Sequence, residues 1–132
     1  MRQRVLAYVT RERAGVKQLL VFDHRDHPDA GTQVPAGRLD PGESLEECLH
    51  RELDEEAGLR GTIVRALGRP DWPARYDNRA FEVHAEGDPP DEWEHEVHGT
   101  GDDAGLVFSY RWETVRPDLE LFNRRDPLLD LL

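Results

Sequence analysis

Glu52, Glu55 and Glu56 stand three and four residues apart, with Glu43 and Arg51 just upstream, inside residues 37–59. Ser44 followed by Glu47 forms a capping box, and Pro41-Gly42 before it is turn chemistry, so a helix is predicted to start near Ser44. Gly58 is a natural stop. Between those ends Leu45, Cys48, Leu49 and Leu53 recur at helical spacing and mark a buried stripe. At about 100° per residue, Glu52 and Glu56 fall in that same stripe and Glu55 at its margin. Clustered carboxylates repel one another and lose hydration when buried, so the helix needs a positive partner. Oxygen ligands without Cys or His suit Mg²⁺ or Mn²⁺ better than Zn²⁺, and Mg²⁺ completes its shell with waters and substrate phosphates. A phosphate-bearing substrate follows. A merely solvated acidic face would not place Glu52 and Glu56 among the leucines.

The segment resembles the signature of the Nudix hydrolases, G-x5-E-x7-R-E-U-x-E-E-x-G-U, where U is aliphatic. Gly37, Glu43, Arg51, Glu52, Leu53, Glu55, Glu56, Gly58 and Leu59 fill every specified position. The resemblance implies a Mg²⁺- or Mn²⁺-dependent hydrolysis of a nucleoside diphosphate linked to another group, X. By motif position, it implies Glu52 and Glu56 as first metal ligands, Glu55 next, and the backbone carbonyl of Ala36 as a further one. Glu43 would orient a water or an outer contact, and Arg51 would hold the acids in place. The general base implied is Glu52 or a loop acid outside the motif, with Glu94, Glu96, Asp102 and Asp103 as candidates. The fold implied is α/β: a single-domain α/β/α sandwich with a mixed sheet across residues 1–132. A catalytically silent nucleotide-sensing module on the same fold is the alternative; such modules are expected to have lost helix glutamates or Arg51, and none is lost here. A diversified metal enzyme would need a further catalytic Cys or acid, and Cys48 falls on the apolar stripe instead.

At 132 residues the chain buries one core. Its net charge of −11 argues against nucleic acid polymers and anionic membranes as partners. A nucleotide-like small molecule fits only if cations and local arginines offset that field. One cysteine permits no internal disulfide, and no run approaches membrane-spanning length. The start of the chain enters a strand pattern without a long apolar stretch. A cytoplasmic protein, monomer or homodimer, is the expectation.

Residues 4–10 and 16–23 read as two strands of a hairpin with a longish turn over 11–15. Residues 31–35 are a short extended piece delivering Ala36 and Gly37 to the acids. Strands are predicted over 61–67, 79–85, 91–98 and 106–114, with loops at 68–78 and 99–105. A C-terminal helix is predicted over 123–132.

For substrate contacts, Arg38, Arg75 and Arg79 are candidates for bidentate phosphate binding. Trp72, Tyr76 and Trp93 are candidates for stacking on a base. The bland alternatives are charge balancing for the arginines and edge packing for the rings. Phe81, Phe108, Tyr110 and Trp112 alternate on strands and read as core. The run 23–27, Asp-His-Arg-Asp-His, reads as the polar end of a strand and a turn. His95 and His98 are candidates for proton transfer near neutral pH.

Overall fold

A computed structural model describes residues 2–70, 75–99 and 101–132. Its strands are β1 (Gln3–Arg13), β2 (Val16–His24), β3 (Ala36–Arg38), β4 (Gly61–Gly68), β5 (Asp77–Ala85), β6 (Glu92–Glu96), β7 (Val107–Thr114), β8 (Glu120–Leu121) and β9 (Arg124–Arg125), with one α-helix, α1 (Leu45–Ala57). The main sheet runs β4-β5-β1-β2-β7-β6, with β3 also beside β1. It is mixed: β1 and β5 are parallel, and the other pairings are antiparallel.

The feature that creates the site is a change of partner along β1. Thr10 to Arg13 pair with β2, whereas Arg4 to Leu6 pair with β3. The sheet therefore splits between the near halves of β1 and β2. Residues 33–38 fill the split: Gln33 bridges to Phe22, Ala7 donates to the Pro35 carbonyl at 2.8 Å, and Ala36–Arg38 follow Arg4 to Leu6. The motif glycine is thereby delivered to the helix.

Strand alternation sends β1 into two cores, one on each face of the sheet, where a single core was expected from chain length. Val5, Ala7 and Val9 pack with Leu49, Leu53, Ala57, Phe22, Phe108 and Tyr110 under α1. Leu6 and Tyr8 pack on the other face with Leu19, Val21, Leu119, Leu121, Leu128 and Leu129. The stripe read from the sequence is the buried face of α1, and the capping box forms with both hydrogen bonds present. Gly58 ends the helix in the left-handed region at φ 69°.

Two local expectations are corrected. The first hairpin turn is short, because Arg11, Glu12 and Arg13 pair with Gln18, Lys17 and Val16, leaving Ala14 and Gly15 at φ 51° and 78°. Both residues with positive φ fit the tight turn that matches strand twist. The C-terminal helix is a 3-10 turn over Pro127–Leu131, preceded by the small β8-β9 hairpin. Pro127 can only begin a helix, and Asp126 caps it by accepting from Leu128, so too few residues remain for α-helical turns. Leu128 and Leu129 are nonetheless buried, and the Tyr8 hydroxyl donates to Asp126 beneath them. This segment supplies the second layer of the sandwich.

Candidate active site

The helix acids meet β3 at the split. Gly37 packs so closely on Glu52 that a Cβ there would lie 2.0 Å from its carboxyl carbon. Only glycine fits that position. One residue earlier, the Ala36 amide donates to Glu56 Oε1 at 3.3 Å. Glu56 is only 4% exposed. Burial, and then the adjacent Glu52, push its carboxyl well above the usual range; burial also raises Glu52, and the two carboxyl groups share a hydrogen bond.

Arg51 organises the remaining acids. Its Nε and Nη2 grip Glu43 at 2.7 and 2.9 Å, and its Nη1 reaches Glu52 at 2.8 Å and Glu55 at 3.2 Å. It also donates to the Arg38 carbonyl at 3.0 Å. The Arg51 hydrogen bonds hold Glu43 down at about 2, so that carboxylate is committed to bracing Arg51. Cys48 lies beneath this network, its thiol pushed up to about 12 by burial and then by Glu43 and Glu52. An inert structural thiol matches its place on the stripe.

The C-terminal turn of α1 is held by Tyr110, which sits in the core as read from the sequence, by Trp93 and His95, and by the His98 amide. Tyr110 Oη donates to the Glu56 carbonyl at 2.9 Å, Trp93 Nε1 to the Ala57 carbonyl at 3.3 Å, and the His98 amide to the Glu55 carbonyl at 3.0 Å. His95 Nε2 also lies 2.9 Å from the Glu55 carbonyl. These carbonyls are the ones a helix end leaves without internal partners. Trp93, stacked on Tyr110 at 4.9 Å, is thus a brace for α1, and so is His95.

The acids floor a cleft of about 360 Å³. Among the candidates, Ala36, Arg38, Arg51, Glu52, Glu55, Glu56, Tyr76, His98, Asp102 and Asp103 line it. Arg38 pairs with Asp102 at 2.7 Å, closing one side. Glu94 binds Ser109 and, with Glu96, is not part of the lining. Arg79 is also outside it, held by two hydrogen bonds to Asp77. Arg75 sits over the Tyr76 ring. Trp72 lies outside the described residues. In the run 23–27, Asp23 is bound by Thr32 and Arg111, which bears out the reading of a polar strand end. Arg2 and Arg4 line the cleft and were missed; their partners lie far along the chain, so no local pattern marked them.

A family model described as the NUDIX domain matches residues 1–129. The chain belongs to the Nudix family. An RNA pyrophosphohydrolase of Erythrobacter litoralis is 42% identical over 34% of this chain and 27% of its own length. A NAD-capped RNA hydrolase of Mycobacterium tuberculosis is 41% identical over 50% of this chain and 21% of its own. The chain thus spans about a quarter of these relatives. Among solved structures, a UDP-X diphosphatase superposes with TM-score 0.65 at 13% identity, covering 98% of this chain and 60% of that one. An ADP-ribose pyrophosphatase from Streptococcus suis gives 0.64 at 16% identity, covering 98% and 87%. At such identities the likeness is one of fold, and it bears out the α/β class.

The donor set can be weighed against a cation. Among the described residues, no three His, Cys, Asp or Glu side chains are already gathered around one point. Arg51 draws on Glu52 and Glu55, while Glu56 sits against Glu52, and burial and that neighbour raise its pKa. Two crowded, desolvated carboxyl groups repel each other when ionised, and a divalent cation between them relieves that repulsion. Mg²⁺ needs only one or two carboxylates when waters and phosphates fill the rest of its shell. The residues fit Mg²⁺ or Mn²⁺. Among the described residues no helix is long and apolar enough to cross a membrane.

Proposed function

We propose that the protein is a divalent-metal-dependent pyrophosphohydrolase acting on a nucleoside diphosphate linked to X. The observation that carries this reading is the pair of half-buried Glu52 and buried Glu56 on the floor of a cleft, with the Ala36 amide on Glu56. Glu52 and Glu56 hold the ion, with Glu55 and the Ala36 carbonyl as further ligands. When bound, the ion polarises a phosphoryl oxygen and lowers the pKa of a bound water. Arg51 keeps the carboxylates in their rotamers, and Glu43 keeps Arg51 in its own. Glu52 accepts the proton of the attacking water; Asp102 and Asp103, which line the same cleft, are the next bases in order. Substrates named for the relatives and neighbours, among them NAD-capped RNA, UDP-X and ADP-ribose, share the pyrophosphate linkage this cleft is suited to receive. Small nucleotides suit a chain of net charge −11 better than RNA does. We place it in the cytoplasm, as a monomer or homodimer.

The test is hydrolysis of a panel of nucleoside triphosphates, dinucleoside polyphosphates, ADP-ribose and nucleotide sugars with Mg²⁺ or Mn²⁺, beside Glu52→Gln. Wild type should cleave at least one member and the variant should lose most turnover while keeping its circular dichroism spectrum. Full turnover by Glu52→Gln at saturating Mg²⁺ overturns the role of Glu52. No cleavage by wild type, with tight binding of one nucleotide, would make the protein a sensing module.

A further inference from the structure

Among the described residues, Arg4 lines the cleft without an ion pair to any carboxylate, although Glu56 attracts its charge. Arg4 on β1 donates from Nε to Asn78 Oδ1 at 2.7 Å. Its guanidinium carbon lies 5.5 Å from the Tyr76 ring centroid and 5.8 Å from that of Phe122. Two other cations beside the acids are committed to carboxylates: Arg51 to Glu43, Glu52 and Glu55, and Arg38 to Asp102. Among the described residues no carboxylate lies within ion-pair distance of Arg4, and Asn78 is its one hydrogen-bond partner. Acids outnumber lysines and arginines by 28 to 17, so a cleft arginine without one is unexpected. Burial lowers the pKa of Arg4, showing a desolvated charge, yet its side chain lines the cleft.

The residue is also held in place before any ligand arrives. Asn78 is buried on β5, directly beside Arg4 in the parallel pairing. Phe122 and Asn123 take φ of 55° and 61° at the β8-β9 tip, where non-glycine residues are uncommon. The tip is fastened by the Phe122 amide to the Thr32 carbonyl at 2.8 Å, and by the Asn123 side chain filling the space above Gly31. The two-residue hairpin turn thus sets the Phe122 ring beside Arg4.

We propose that Arg4, positioned by Tyr76, Phe122 and Asn78, determines specificity by gripping a phosphoryl group of the substrate. This rests on the pyrophosphohydrolase reading and deepens it. Among the described residues only Nε of Arg4 has a side-chain hydrogen-bond partner, and a guanidinium edge takes paired acceptors, which a phosphoryl group or a guanine edge can supply. The phosphoryl group is favoured because a partly desolvated full charge gains most from an anion. Arg2, two residues earlier, lines the same cleft and contacts the Leu39 carbonyl at 3.4 Å, adding a second positive group at this end of β1. The substrate class is an organic pyrophosphate with both phosphates engaged, one by the ion at the carboxylates and one by Arg4. Nucleoside monophosphates should bind more weakly.

The experiment measures calorimetric binding of methylenediphosphonate, an uncleavable pyrophosphate, in Ca²⁺, to wild type, Arg4→Lys and Arg4→Met, with circular dichroism as the folding control. Losing a charge-assisted pair should weaken binding by about 10- to 100-fold in Arg4→Met. Arg4→Lys should recover part of it, and in turnover KM should rise more than kcat falls. Equal affinity in folded Arg4→Met overturns the proposal. Unaltered methylenediphosphonate binding with lost guanosine binding would make the gripped group a base edge and overturn it too. If Arg4→Met does not fold, phenylglyoxal labelling of wild type decides, read by peptide mass: methylenediphosphonate with Ca²⁺ must suppress labelling at Arg4, and undiminished labelling overturns the assignment. Wild-type turnover of the nucleotide panel reports separately on the hydrolase reading.

Discussion

Gly37 and Glu52 show how little room the chemistry leaves. A methyl group on Gly37 would lie 2.0 Å from the Glu52 carboxyl carbon, so Gly37→Ala must swing the carboxylate out or lift β3 from the helix. Displacing a catalytic group by about 1 Å costs on the order of 100-fold in rate. Gly37→Ala should therefore lower kcat/KM at least that far while its urea midpoint shifts only modestly, checked by turnover beside equilibrium unfolding. A variant with wild-type turnover would mean that Glu52 need not sit where it does. At this scale the sequence was informative because ligand chemistry demands particular residue types at particular helical offsets. Arg4 was illegible for the opposite reason: Asn78 and Phe122 reach it only through a parallel strand pairing and the C-terminal hairpin tip.

A helix that carries repelling acids in its last turns needs its end secured. Tyr110, Trp93 and the His98 amide occupy three successive carbonyls of α1, from Glu55 to Ala57. Tyr110→Phe keeps the ring in the core and leaves the Glu56 carbonyl without its buried donor, at a cost of about 1–3 kcal/mol. The same change should weaken Mn²⁺ binding, because the peptide carrying the Glu56 side chain is no longer fixed; unfolding curves and a Mn²⁺ titration check both parts. Unchanged metal affinity would confine Tyr110 to packing. The helix itself was legible from its capping box and terminal glycine, since both signals are local. The predicted C-terminal helix was misread because its leucines satisfy any buried turn, whereas Pro127 and the Asp126 cap decided in favour of 3-10 geometry. The first hairpin turn was misread because Arg11 to Arg13 look like loop residues until Trp112 is seen under the Arg11 guanidinium, 4.2 Å from the ring centroid.

Across the whole molecule, buried carboxyl groups pull stability in opposite directions with pH. Burial would raise Glu82, but Thr10, Lys17 and Arg65 outweigh it and hold its carboxyl at about 2, as Arg51 holds Glu43. These acids stabilise the fold above the unfolded value of 4.5, and that contribution is lost as pH falls from there towards 2. Glu56 acts in reverse, since burial and Glu52 raise its folded pKa. Between 4.5 and that raised value the native state keeps a proton the unfolded chain has released, so raising the pH favours unfolding. Metal-free protein should therefore reach its highest Tm in mildly acidic buffer and decline towards neutrality. Mg²⁺ or Mn²⁺ should reverse the decline, because the ion binds the deprotonated pair and its binding adds to native stability. Glu56→Gln should abolish both the decline and its rescue, since an amide neither titrates nor binds the ion as a charged ligand. Thermal melts from pH 5 to 8, with metal and with chelator, measure all three effects. A wild-type Tm that climbs steadily to pH 8 in chelator would place the dominant titration elsewhere among the acids, and the carboxyl pair would then not be the site where charge, stability and metal binding meet.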